Sequence, residues 1–179
     1  MEIINLALPG CILLKLDYFS DDRGVFVKTF NRELFKETGL FKFQMEEEFF
    51  TISHKNVIRG LHFQKPPFDH NKIVSCISGS IHDVLLDLRS SSPTFGKTYQ
   101  LDLDTNKKIL FIPKGIAHGF LSKENNTLVN YKVDKKYSAT HDMGIAWDSI
   151  NFDWNTVKPI ISERDSSFPD FCSFKTPFK

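Results

Sequence analysis

Cysteine is scarce in this chain. Cys11, Cys76 and Cys172 are the only 3 among 179 residues, an odd number with no Cys-x-x-Cys pair. That argues against a disulfide scaffold and against a thiolate zinc site. Neither sign of charge predominates: 23 Lys and Arg stand against 22 Asp and Glu, a net charge of +1. A nucleic-acid binder would instead cluster a basic excess on one face. No apolar run approaches the length of a membrane span. The opening Met1-Glu-Ile-Ile4 lacks the basic stretch and apolar core of a secretory signal, so the expected compartment is the cytoplasm. Tryptophan and glycine are also sparse, at 2 and 9. No repeat, low-complexity segment or linker divides the chain, which reads as one domain over residues 1–179.

What is present is a globular composition, 41% hydrophobic and 25% charged with mixed signs, which excludes disorder. Phenylalanine is abundant at 18 residues. Phe is a bulky β-former and core filler, so most are expected inside a barrel, with a few in a binding cavity.

The rhythm is that of short strands between turn residues. Strands are expected at Cys11–Phe19, Val25–Phe30, Phe49–Ser53, Lys72–Ile77, Ile81–Leu88, Thr98–Leu103, Ile109–Ile112, Gly119–Ser122 and Thr127–Val133. Within Ile81–Leu88 the side chains alternate, placing Ile81, Asp83, Leu85 and Asp87 on one face. Asn31–Gly39 carries an N-cap, early acids and a Gly stop, and predicts the one clear helix. Many short strands at this spacing predict an all-β jelly roll with a few short peripheral helices. Beyond Asp134 the periodicity is poor, and the tail is expected to wrap the barrel loosely.

Ionisable residues gather in strand-like surroundings. Arg59-Gly60-Leu61-His62-Phe63-Gln64 sets a His beside an Arg, and Lys72 follows ten residues later. Asp83 interrupts an apolar strand, His118 lies in Pro113–Phe120, and Tyr131 and Tyr137 come after. Each alone has an ordinary structural explanation. A strand His is commonly a satisfied one, an edge Lys guards against sheet pairing, and a Tyr can be a core aromatic with a wet tip. His54, His70, His82 and His141 stand in no pattern and read as structural or surface residues. Pro113-x-Gly-x-x-His118 is similar to half of a cupin metal motif, but its other half reads His62-Phe63-Gln64. Two imidazoles and a neutral amide, with a lysine nearby, make a poor transition-metal set, so no metal is expected.

Seven segments occur in order: Asp22–Gly24, Asn56-Val-Ile-Arg-Gly-Leu-His-Phe-Gln64, Lys72-Ile-Val74, Asp83-Val-x-x-Asp-x-Arg89, Ser92-Pro-Thr-Phe-Gly96, Ile112-Pro-x-Gly-x-Ala-His-Gly-Phe120 and Ile161-Ser-Glu-Arg-Asp165. Together they resemble the dTDP-4-dehydrorhamnose 3,5-epimerase family of cupin-fold sugar-nucleotide enzymes, over about residues 10–170. The resemblance implies a cofactor-free isomerase that inverts carbons beside the C4 ketone of a nucleotide-diphosphate 4-keto-6-deoxy sugar. It implies that His62 is the general base, tuned by Asp165, that Lys72 holds the enolate oxygen, and that Tyr131 is the acid on the opposite face. His118 and Asp83 match a pair that positions the sugar, Arg59 a diphosphate contact, and Tyr137 an aromatic beside the sugar. Arg23 and Phe26 match nucleotide contacts delivered by the partner subunit of a homodimer.

Three departures bear on specificity. Lys28 stands where the family usually has Glu, and a lysine cannot accept from a thymine imide N–H. Another base is then expected, cytosine being one candidate, unless Lys28 turns outward. Glu47 and Phe49 replace amides that would contact the substrate. Two rival functions are a 3,4-ketoisomerase of the same fold and a non-catalytic sugar-nucleotide-binding cupin. Retention of His62, Lys72, Tyr131 and Asp165 together speaks against both.

Overall fold

The structure, a computed structural model, describes residues 1–31, 35, 43–105 and 107–179. Two antiparallel sheets carry the fold. The first takes in β1 (Glu2–Asn5), β2 (Ile12–Lys15), β5 (Glu47–Ser53), β7 (Lys72–Ser78), β10 (Lys108–Ile112) and β12 (Thr127–Val133), in the order β1-β2-β10-β7-β12-β5. The second takes in β6 (Ile58–Gln64), β8 (Ser80–Asp87), β9 (Thr98–Asp104), β11 (Ile116–Ser122) and β13 (Asp142–Gly144), in the order β13-β6-β11-β8-β9. A separate hairpin joins β3 (Tyr18–Asp21) to β4 (Gly24–Val27). Two facing antiparallel sheets with crossing connections make the double-sheet jelly roll of the cupins.

Alternation along the strands builds three apolar layers. Between the sheets, Val74, Cys76, Leu110, Ile112 and Val129 from the first meet Ile81, Leu85, Leu103, Ile116 and Phe120 from the second. Alternate residues of the same strands point outward. Ile73, Ile109 and Phe111 pack under Phe30, Phe35 and Phe43, while Val84, Leu86 and Leu88 pack under the C-terminal tail. The alternation expected for Ile81–Leu88 therefore holds, and it aims Asp83 inward.

Four expectations change. Cys11–Phe19 is two strands, because the chain breaks at Leu16-Asp17, where the Leu16 N–H bonds Lys107 O at 2.8 Å. Phenylalanine does not fill the barrel: Phe120 is the one Phe in the described inter-sheet core, which aliphatic side chains fill. The others mostly roof the outer faces, where few residues must cover a broad apolar sheet. The tail is not loose, since Ile145, Ile150, Trp154 and Phe178 are buried in it against the second sheet. Strands β1, β6 and β13 also form without an alternating pattern that marks them. The helix expected over Asn31–Gly39 falls mostly outside the described residues.

Candidate active site

The two sheets part at one end around a cavity of about 240 Å³. His62 and His118 enter it from the second sheet, facing each other in register across β6 and β11. Lys72 and Tyr131 enter from the first sheet, on adjacent strands β7 and β12, where Lys72 opposes Val133 and Tyr131 opposes Val74. Opposed walls of a narrow cavity thus carry different chemistry.

The most developed element is the His62–Asp165 pair. Asp165 lies on the four-residue helix α1 (Glu163–Ser166), whose N-cap Ser162 accepts from the Asp165 N–H at 3.1 Å. Its Oδ1 stands 2.9 Å from His62 Nε2, and its Oδ2 accepts from the Gly60 N–H at 2.9 Å. Burial tends to raise the Asp165 pKa, but the bonds from His62 and Gly60 hold it below the usual carboxylate value. An ionised carboxylate only accepts, so His62 Nε2 carries the proton and Nδ1 the lone pair. Burial lowers the His62 pKa, offset in part by Asp165, and Lys72 depresses it further. The ring is 29% exposed, wedged edge-on against Phe168 at 5.6 Å. This is a neutral base with one open nitrogen.

Lys72 is buried, and its Nζ donates to His62 O at 3.0 Å. Burial pushes its ammonium down to about 8, against the pull of Asp142 and Asp83. Tyr131 is buried and stacks on Phe49, centroids 4.9 Å apart and planes within 13°. Burial raises the phenol pKa, with Asp83 adding to the shift, so the O–H stays protonated.

A second His–carboxylate pair lies deeper. His118 Nε2 is 2.8 Å from Asp83 Oδ2, and Asp83 is wholly enclosed. Asp83 does not line the cavity; it sits beneath His118. Of the pair expected to position the sugar, His118 lines the cavity, and the enclosed Asp83 touches it only through the His118 ring. Arg59 lines the wall, braced by Ser53 Oγ at 3.0 Å. Glu47, Phe49 and Tyr137 line it too, and Glu47 Oε1 accepts from the Tyr137 N–H at 3.0 Å.

Three expected residues lie elsewhere on the chain. Arg23 is exposed at the turn of the β3–β4 hairpin, paired with Asp21 at 2.6 Å. Phe26 and Lys28 border a separate hollow with Leu16, Asp17 and Phe19. Sequence reasoning also missed some wall residues. Arg164 bonds Asp142 at 3.0 Å and sits 3.5 Å from Asp165; its place beside Asp165 was the available signal. His70 lines the cavity as well, with no signal in the sequence. Gln64 is no metal ligand candidate: its amide donates to Phe68 O and Lys136 O and accepts from the Ser138 N–H. Among the described residues no group of three His, Cys, Asp or Glu is placed to hold a metal ion.

A jelly roll with an oriented imidazole on one wall and an ammonium and a phenol on the other defines the class: a cupin whose cavity carries acid–base groups on both walls. Comparison with known proteins makes it particular. The dTDP-4-dehydrorhamnose 3,5-epimerase family matches residues 5–173, and the chain belongs to that family of isomerases. The enzyme of that name from Methanothermobacter thermautotrophicus is 40% identical over 93% of this chain and 92% of its own. That from Shigella flexneri is 37% identical over 92% and 93%. The crystal structure from Bacillus anthracis, with TDP and PPi bound, has a TM-score of 0.91 at 36% identity, covering 94% of this chain and 98% of its own. The Legionella pneumophila dTDP-6-deoxy-D-glucose-3,5-epimerase, in complex with dTDP-4-keto-L-rhamnose, has a TM-score of 0.93 at 28% identity, covering 99% and 98%.

Proposed function

We propose that the chain epimerises a nucleotide-linked 4-keto-6-deoxy sugar at carbons beside the ketone, without a cofactor, through an enolate. The observation that carries this is the division of the cavity: the His62–Asp165 base on one sheet, Lys72 and Tyr131 on the other. His62 Nδ1 takes the proton from the carbon next to C4. The C–H electron pair moves into the enolate, and its oxygen is held by the Lys72 ammonium. Tyr131 then gives its phenolic proton to the opposite face of that carbon as the carbonyl reforms. Solvent returns a proton to Tyr131 and takes one from His62. The relatives from Bacillus anthracis and Legionella pneumophila, with TDP and dTDP-4-keto-L-rhamnose bound, support a substrate of this kind.

Solvent-deuterium exchange tests the reaction. Label at both C3 and C5 of a nucleotide 4-keto-6-deoxy sugar is expected for 3,5-epimerisation, and label at C3 alone marks a 3-epimerase. No label in either place would sink the proposal. His62→Ala should abolish exchange with the fold intact. Tyr131→Phe should impair inversion more than the first proton removal.

The working unit in this reading is a homodimer. Tyr18, Phe19, Val25 and Phe26 are exposed on the β3–β4 hairpin, and Phe50 and Ile52 on the edge strand β5. An apolar hairpin and an open apolar edge invite a second copy, which would carry Arg23, Phe26 and Lys28 to its neighbour's nucleotide. Sedimentation at the mass of one chain would count against it. Lys28 cannot accept from a thymine imide N–H and would better meet an unprotonated ring nitrogen such as that of cytosine, so titration with dTDP, CDP, GDP and UDP should find a nucleotide other than dTDP bound most tightly. Tightest binding of dTDP would mean that Lys28 turns away from the base. Among the described residues no helix is long and apolar enough to cross a membrane. Three free cysteines suit the reducing cytoplasm, where we place the enzyme.

A further inference from the structure

His70 has no part in the chemistry above, yet its half-buried ring forms part of the cavity wall two residues before Lys72. One side of that ring is fully engaged. Nδ1 lies 3.1 Å from Gln64 Nε2 and 3.3 Å from Phe68 O. The Gln64 amide is itself oriented by three backbone groups: Oε1 accepts from the Ser138 N–H at 2.6 Å, and Nε2 donates to Phe68 O at 2.9 Å and Lys136 O at 3.2 Å. Gln64 Nε2 has two protons for three neighbours, and we assign them to the two carbonyls. Nδ1 of His70 then carries the ring proton and donates to Phe68 O, which leaves the lone pair on Nε2. Among the described residues nothing hydrogen-bonds Nε2. The ring lines the cavity, so a ligand bound there can reach this nitrogen.

We propose that His70 is a specificity residue, its Nε2 accepting a hydrogen bond from a ring hydroxyl of the bound sugar close to the carbonyl that Lys72 takes. The assignment rests on the sugar-nucleotide reading of this cavity. A neutral imidazole suits a hydroxyl and not a diphosphate, for which a cation such as Arg59 is the fitting partner. Burial, and Lys72 beside it, hold the ring's pKa down at about 3, so it stays neutral and adds no charge that would compete for the enolate. The clamp on Nδ1 gives the acceptor a preset direction before substrate arrives. That is the preorganisation a positioning contact needs.

The test is 15N NMR of the histidine-labelled protein, the His70 signal being the one lost in His70→Phe. Titration with dTDP-glucose should move the Nε2 resonance, and titration with dTDP should leave it in place. His70→Phe should weaken dTDP-glucose binding about 10-fold, within the range for one neutral hydrogen bond, and leave dTDP affinity within about 2-fold. His70→Gln, which also carries an acceptor, should recover part of the loss. A resonance that moves with neither ligand while dTDP-glucose binds, or moves alike with both, overturns the assignment and leaves the sugar-nucleotide reading standing. So does an equal loss of affinity for both ligands in His70→Phe, which marks a structural residue. If one of CDP-, GDP- or UDP-glucose binds in place of dTDP-glucose, it and its free diphosphate serve as the two ligands; failure of all four to bind the wild-type protein overturns the reading of the cavity, and this contact with it.

Discussion

Two carboxylates hold two imidazoles in this protein at nearly the same distance, 2.9 Å for His62–Asp165 and 2.8 Å for His118–Asp83. Burial separates their roles. His62 keeps 29% of its side chain exposed, whereas His118 keeps 3%. A base must reach its substrate, so the open pair suits proton removal and the closed pair suits holding a ring in a fixed orientation. The pH dependence of kcat/KM follows from the same environments. In the proposed reaction His62 is the neutral base, so the rate should fall in acid as it gains a proton, below the ordinary imidazole value of 6.5. Lys72 is the cation of that reaction, so the rate should fall again in alkali as it loses its proton at about 8. A bell with these limbs is expected. A rate that keeps rising well past pH 9 would remove Lys72 from its role. Asp165→Asn should cut kcat by roughly 10²–10⁴-fold, the range of acid–base groups, and move the acid limb to lower pH because a bond that raises the His62 pKa is gone.

At the scale of elements, the site depends on how closely β6 and β11 approach. Their register shifts between His118 and Phe120, where two glycines meet. Gly60 has φ +117, and a Cβ there would stand 2.6 Å from Gly119 Cα and 2.7 Å from His118 O. Both obstacles are backbone, so no rotamer change relieves them. Gly60 also donates its N–H to Asp165, which places the base's partner. Gly60→Ala should cost about 3 kcal/mol or more, from overpacking and left-handed strain together. In a thermal melt that is a fall of roughly 6–12 °C for a domain of this size. An unchanged Tm would show that the strands can part at no cost.

Across the whole molecule, the buried Asp87 joins distant segments. It accepts from Arg89 Nη2 at 2.8 Å, Ser92 Oγ at 2.7 Å and Thr94 Oγ1 at 2.7 Å, and Arg89 reaches Pro9 O at 2.9 Å. The end of β8, the loop after it and the N-terminal segment thus share one carboxylate. Burial alone would raise its pKa, but these donors outweigh burial and bring it to about 2 from 3.8. With the folded value depressed, the stabilisation is complete above the unfolded value and is lost as pH falls through 3.8 towards 2. The loss should be about 2 kcal/mol, measured by urea melts across that window. Asp87→Asn should be less stable at neutral pH and should lack this share of the acid response. An identical acid slope in the variant would assign it to other groups.

Much of this was legible because β-strands have a period of two. Asp83 could be grouped with Ile81, Leu85 and Asp87 on one face of β8, and His62, Lys72, His118, Tyr131 and Asp165 could be picked out by their ordered motifs. The double-sheet class follows from turn residues and alternation, which are local properties, whereas β1, β6 and β13 carry no alternation that marks them. Depth, however, is not local. Asp83 lies under His118 because of which strands stack over it, and Phe residues roof the outer faces because the sheets close on aliphatic side chains first. The tail after Asp134 follows no period, since irregular chain buries Ile145, Trp154 and Phe178 by the contour it meets. His70 became visible only when Gln64, Phe68 and the loop at Lys136–Ser138 came together around its ring. The sequence by itself determined which groups are available for proton transfer and on which face of each strand they stand. Only the tertiary structure decided which of them share a cavity and which are sealed beneath it, because that depends on contacts between residues far apart in the chain.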